Sequence, residues 1–183
     1  MMRPARNEDK QAWCDEYGPK TERKFCDWAT QVLGVDVMPN PAKYQDPYTF
    51  DLLYDGKPAD LKTVRTPFFM AEHLYGIDPQ FAVTFNHKDG QRYREHYPSI
   101  RIVFDVKFDG GSLASSAMPE PVHVQPMHLV AIGTLDQVSR AITDSGFHRH
   151  DYQARVNDTE GNAKASWLLD VRKLTVLHHV DPR

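Results

Sequence analysis

Apolar residues recur along this chain at two spacings, and the switch between them marks its elements. In GPKTERKFCDWATQVLG, residues 18–34, Phe25, Ala29, Val32 and Leu33 fall on one helical stripe. Pro19 suits the first helical position and Gly34 the position just past the end. Glu22 lies three residues before Phe25, on or beside the stripe; a first-turn glutamate also favours the helix dipole, so its place has two readings. A short strand near Val35–Met38 and a Pro/Asn-rich connection lead to YTFDLLYDGKPADLKT, residues 48–63, which reads as a hairpin. Thr66-Pro67 then opens a short helix, PFFMAEHLY, stopped by Gly76. FAVTFN (81–86) and IRIVFDVKF (100–108) have strand character, and between them KDGQRYREHYP reads as a helix with Asp89 a candidate cap. Residues 109–126 are rich in Gly, Ser and Pro and are expected to form a loop that orders on substrate. HLVAIG is a strand, and Thr134 with Gln137 forms a capping box for a helix closed by Gly146. Strand-like segments at 147–156 and 166–177 flank the turn-rich NDTEGNAK.

The hairpin carries an unusual pair of charges. Asp55-Gly56 favours a type I′ turn, which pairs Tyr54 with Lys57, Leu53 with Pro58, Leu52 with Ala59 and Asp51 with Asp60. Alternation then puts Asp51, Asp60 and Lys62 on one face, with Leu52 and Leu61 on the other. Like charges directly opposite on antiparallel strands are destabilising. Two readings fit: a solvated face on which Lys62 screens the aspartates, or a site that gains from both carboxylates. The apolar flanks Phe50, Leu52, Leu53, Leu61 and Val64 favour a buried strand pair, and a divalent cation is the natural occupant.

Composition changes this picture little. The 183 residues suit one domain or a domain with an appendage, and the net charge of -3 gives no global pull toward nucleic acid or anionic membrane. Any nucleic-acid contact must rest on a local basic surface. Cys14 and Cys26 suggest no disulfide framework and match no common zinc spacing, so a reducing, cytoplasmic setting is expected. The N-terminus MMRPARNEDK lacks an apolar core and no apolar run reaches membrane-spanning length, so no membrane association is expected.

The order helix, strand, strand with aspartate, strand with Asp60-Leu61-Lys62, helix, strand resembles the PD-(D/E)XK nuclease superfamily over roughly residues 19–108. The resemblance implies an α/β fold with a restriction-endonuclease-like core, a central mixed β-sheet flanked by helices. Residues 1–108 would be that core, 109–126 a loop or linker, and 127–183 a C-terminal α/β extension packed on the same domain. It implies that Asp51 and Asp60 bind Mg²⁺ (with Mn²⁺ as substitute), helped by the Leu61 backbone carbonyl. Lys62 would position or activate the attacking water, and Glu22 matches the first-helix glutamate that many members add as a further ligand. The sequence departs from the pattern in having Phe50 rather than proline before Asp51, and in the PFFMAEHLY helix. No Q-x-x-x-Y element is present, which argues against an exonuclease.

The expected activity is therefore Mg²⁺-dependent endonucleolytic hydrolysis of DNA, with a catalytically inactive module binding DNA or a protein as the alternative. DNA is the expected partner, and a homodimer is a further option. Lys24 and Arg65 are candidate phosphate contacts. His148 and His150 share a strand face but lack partners at zinc-binding spacing. Phe68, Phe69, Trp28 and Trp167 are expected in the core rather than as base-stacking platforms.

Overall fold

The computed structural model describes residues 11–46, 49–116, 120–151 and 165–181, the side chains of 11–17 and 44 excepted. The chain is an α/β protein whose main sheet mixes parallel and antiparallel strands. Its helices are α1 (Gln11–Leu33), α2 (Ala71–Tyr75), α3 (His87–His96) and α4 (Leu135–Asp144). Its strands are β1 (Val37–Pro39), β2 (Leu52–Tyr54), β3 (Lys57–Val64), β4 (Ala82–Asn86), β5 (Arg101–Leu113), β6 (Val122–Thr134), β7 (Arg149–Asp151), β8 (Ala165–Asp170) and β9 (Thr175–Val180). Six strands form the main sheet in the order β1-β2-β3-β5-β6-β9, and β4-β8-β7 form a second. All neighbours are antiparallel except β3 and β5, which run parallel with Asp60 opposite Ile102.

A parallel pair needs a crossover, and the residues between β3 and β5 supply it as α2, β4 and α3. Alternation along β5 sorts two cores. Ile102, Phe104, Val106 and Phe108 point into a large cluster with Val83 and Phe85 of β4, Tyr93 of α3, and Val138 and Ile142 of α4. Val103 points the other way, into a cluster with Phe25 and Ala29 of α1 and Leu52, Ala59 and Leu61 of the hairpin. The hairpin is thus sandwiched, with α1 beneath one face and α3 over the other.

Several expectations are corrected here. Helix α1 begins at Gln11, and Pro19 lies inside it rather than at its first position, at the cost of one backbone donor. Val32 is exposed although it shares the stripe's spacing. Helix α2 starts at Ala71 rather than Pro67, and α3 is capped by Asn86, whose Oδ1 accepts from Lys88 N at 2.9 Å, rather than by Asp89. Residues 109–126 are mostly not a loop: β5 runs to Leu113 and β6 begins at Val122, making one long hairpin. Gly110 accounts for the misreading. Its φ of 82° is a left-handed conformation, and a Cβ there would lie 3.0 Å from Pro126 Cδ, so the glycine serves an irregular strand. Opposite it, both backbone groups of Gln125 are met by the amide of Gln80, at 2.8 and 3.1 Å. The segment 166–177 is two strands in different sheets, separated by a short 3₁₀ turn over Val171–Lys173. The expected strand beyond 151, the NDTEGNAK turn, the first ten residues and the Cys14 side chain lie outside the described residues.

Among the described residues no helix is long and apolar enough to cross a membrane. The Thr134–Gln137 capping box forms as expected, with Gln137 Oε1 accepting from Thr134 N at 2.8 Å. Phe104 is fully buried between the sheets. Phe104→Ala should therefore cost about 3–5 kcal/mol, and Thr134→Ala about 1 kcal/mol, in urea denaturation. Equal losses from the two would contradict this layering.

Candidate active site

The turn forms as its letters require, with Asp55 at φ 48° and Gly56 at φ 68°. Tyr54 pairs with Lys57, Leu53 with Pro58 and Leu52 with Ala59. The ladder stops there, and Asp51 does not sit in a strand pair with Asp60. Its carbonyl accepts from Asn40 N at 2.9 Å, and its carboxylate Oδ2 accepts from Leu61 N at 3.0 Å. The side chain thus takes a backbone donor at the point where the strands part. Asp60 and Lys62 face α3, opposite to Leu61.

Four carboxylates and three cations meet around this point. Lys43 Nζ contacts both Glu22 Oε1 and Asp51 Oδ1. Lys62 Nζ lies 2.8 Å from Asp60 Oδ2 and 2.6 Å from Asp89 Oδ2. Asp60 Oδ1 accepts from the Tyr93 hydroxyl, which itself accepts from Arg92 at 2.8 Å. Arg92 also pairs with Asp89 at 3.3 Å. Asp60 is only 3% exposed and Glu22 8%, so these are buried charges that need such partners.

Burial and the neighbouring Asp60 push Asp51 up to about 7, against the pull of Lys43 and Lys62. Burial acts on Asp60 too, but Lys62 and the Tyr93 hydroxyl outweigh it and hold that carboxyl below the usual range. Burial works against the charge on Lys62, yet Asp60, Tyr93, Asp89 and Asp51 raise its pKa well above that of an ordinary lysine. Lys62 therefore stays an ammonium donor among these carboxylates. Burial raises the Tyr93 phenol further, so it remains a donor to Asp60.

The donor set suits a hard divalent ion. Asp60 Oδ2 is buried, with the Lys62 ammonium 2.8 Å away as its charged partner. Asp51 and Asp60 are close enough to shift one another, so the two carboxylates form one electrostatic unit. Among the described residues no group of three or more His, Cys, Asp or Glu is arranged to hold a metal. Two carboxylates with water completing the shell is a common way to hold Mg²⁺.

The remaining predicted residues divide. Glu22 reaches this site only through Lys43. Lys24 is exposed, and two residues along a helix it turns to the far side from Glu22. Arg65 is engaged elsewhere, donating to the carbonyl of Asp105 at 2.6 Å and to its carboxylate. Asp105 also lies 2.9 Å from His128 Nε2, and the Trp28 ring packs on His128 at a centroid distance of 4.5 Å. His148 and His150 pack on Tyr75, with the Tyr75 hydroxyl 3.0 Å from His150 Nδ1.

Sequence reasoning missed Lys43, Asp89, Tyr93 and Arg92 as members of the site. Tyr93, Asp89 and Arg92 lie at i, i−4 and i−1 on α3, a spacing that could have flagged a polar face. Lys43 has no such signal, because its contacts depend on how an irregular connection folds back. No family model, curated protein or solved structure matches the chain. The site's chemistry therefore rests on its own geometry.

Tyr93→Phe removes the donor to a buried carboxylate and should cost about 1–3 kcal/mol in metal-free protein, by urea denaturation. A loss indistinguishable from zero would show that Asp60 does not depend on that hydroxyl. Burial raises Asp105, but His128 and Arg65 outweigh it and hold its carboxyl below the ordinary value. Its stabilising contribution is present above the unfolded-state pKa and lost as pH falls through the lower folded one. The stability gap between wild type and Asp105→Asn at pH 5 should therefore close on further acidification; a gap that widens would reverse the sign.

Proposed function

We propose that this chain is a metal-dependent nuclease that hydrolyses DNA phosphodiester bonds, as an endonuclease, with Mg²⁺ as cofactor and Mn²⁺ as its substitute. The observation that carries this reading is the partly buried Asp51 and the buried Asp60, close enough to shift one another, with the Lys62 ammonium 2.8 Å from Asp60 Oδ2. Its setting agrees with the restriction-endonuclease-like core that the motif resembles. Helix α1 is followed by the antiparallel β1-β2-β3, and α3 precedes β5, which runs parallel to β3.

Asp51 and Asp60 would hold the ion, with the Leu61 carbonyl as the further ligand the resemblance implies. A bound divalent ion supplies a nucleophilic water at neutral pH and stabilises charge on the phosphoryl oxygens. Lys62 offers fixed positive charge to the same oxygens, pre-aimed by Asp60 and Asp89. Tyr93 fixes the Asp60 carboxylate, and Arg92 fixes Tyr93. Neither Lys24 nor Arg65 shares this constellation, so phosphate contacts at the site fall to Lys62 and Lys43.

A second reading is a nuclease-fold module without activity that binds DNA or a protein. What favours it is that both aspartates already have a lysine partner, as a site needing no ion would. Asp60→Asn separates the two. For a nuclease it abolishes Mg²⁺-dependent cleavage of DNA and the rise in melting temperature on adding Mg²⁺, because binding to the native state is what raises it. If wild type cleaves no DNA form with Mg²⁺ or Mn²⁺ and shows no such rise, the inactive module is the better account. Cleavage that survives Asp60→Asn would place the activity elsewhere.

A further inference from the structure

Lys43 is the one cation of the site that comes from an irregular segment, and its placement is built rather than incidental. It sits on a short 3₁₀ turn, Pro41–Tyr44, whose N-cap is Asn40. Asn40 is 4% exposed and uses nearly every polar group it has. Its Oδ1 accepts from Ala42 N at 3.1 Å, closing the turn that carries Lys43. Its Nδ2 donates to Phe50 O at 2.9 Å, and its backbone N donates to Asp51 O at 2.9 Å. One side chain thus ties the lysine's turn to the strand end bearing Asp51. The ammonium is delivered between Glu22 and Asp51, touching a carboxylate oxygen of each.

A cation bridging two carboxylates from different elements occupies the place a metal ion takes when such groups share one. Charge arithmetic points the same way. With all four carboxylates ionised, Glu22, Asp51, Asp60 and Asp89 set four negative charges against the three positive ones of Lys43, Lys62 and Arg92. One divalent ion takes that sum from −1 to +1, whereas two would leave a strongly positive buried cluster, which costs heavily in a low-dielectric setting. A concavity lined by Pro19, Glu22, Arg23, Pro39, Asn40 and Lys43 opens beside this turn, and the Lys43 side chain is 25% exposed.

We propose that Lys43 is a resident cation standing in for a second metal ion, so that Glu22 is the partner of Lys43 rather than a metal ligand and the site takes a single divalent ion at Asp51 and Asp60. This rests on the metal-dependent reading above and specifies its stoichiometry. Lys43 gives the site a positive charge next to substrate phosphate that neither dissociates nor depends on metal supply. Its counter-charges, Glu22 and Asp51, hold the flexible four-carbon stem in place.

The test is titration of the full-length, chelator-stripped protein with Mn²⁺, counting bound ions by the electron paramagnetic resonance of free Mn²⁺. Wild type should bind one ion. Glu22→Gln should still bind one, with affinity changed by no more than about threefold, whereas loss of a true ligand or its support costs roughly tenfold or more. Lys43→Met, which keeps the stem and removes the charge, should bind two, since Glu22 and Asp51 are then left to share an ion. Two ions on wild type, or a tenfold or greater loss in Glu22→Gln, would overturn the proposal even if Lys43→Met failed to fold. One ion on Lys43→Met, with wild type unchanged, would overturn the role of Lys43 and leave the metal site standing. No ion on wild type or on either variant would overturn this proposal and the metal-dependent reading together.

Discussion

Burying carboxylates is the constraint around which this molecule is arranged. Asp51 and Asp60 stand where β2 and β3 part, Asp51 partly buried and Asp60 nearly out of water, and Asp60 would not tolerate that position alone. Each is compensated from a different direction. Asp51 takes the Leu61 amide and Lys43; Asp60 takes the Tyr93 hydroxyl and Lys62. The compensation is uneven, since burial and the nearby Asp60 still push Asp51 up to about 7 while Asp60 is held below the usual carboxylate range.

The rest of the fold delivers those partners. Helix α1 seals the lower face of the hairpin with Phe25 and Ala29 and brings Glu22 to the edge. The crossover between the parallel strands β3 and β5 carries α3 over the upper face, and α3 brings Asp89, Arg92 and Tyr93 with it. The second sheet and α4 support α3 through the larger apolar cluster. The crossover that the parallel pairing requires is thus what places α3 over the aspartates.

Much of this was legible from the letters. Asp55-Gly56 set the hairpin register, because positive φ at two successive residues admits few alternatives. Thr134 and Gln137 marked the start of α4 for an equally local reason, a reciprocal pair of hydrogen bonds. What escaped were features with no local signature. Gly110, Gly111 and Ser112 have loop composition but lie in a strand, held by pairing with residues 122–126 that no short window contains. Asn86 caps α3 rather than Asp89 because the helix begins at His87, which leaves Asp89 inside its first turn and on Lys62. The aspartate pair was found, but as a ladder pair; the chain instead turns at Asp51 toward Asn40, and Lys43 enters through the gap this opens. Arg65 has the composition of a phosphate contact, and its choice of Asp105 depends on β5 lying next to β3.

The most direct measurement of the central claim is an anomalous difference map at the manganese edge, from crystals grown with Mn²⁺. The account predicts one peak bonded to Asp51 and Asp60, at about 2.1–2.2 Å as for small divalent ions on carboxylate oxygen, with Lys43 still bridging Glu22 and Asp51. A map with no density at the aspartate pair, in protein that retains the wild-type fold, would contradict it.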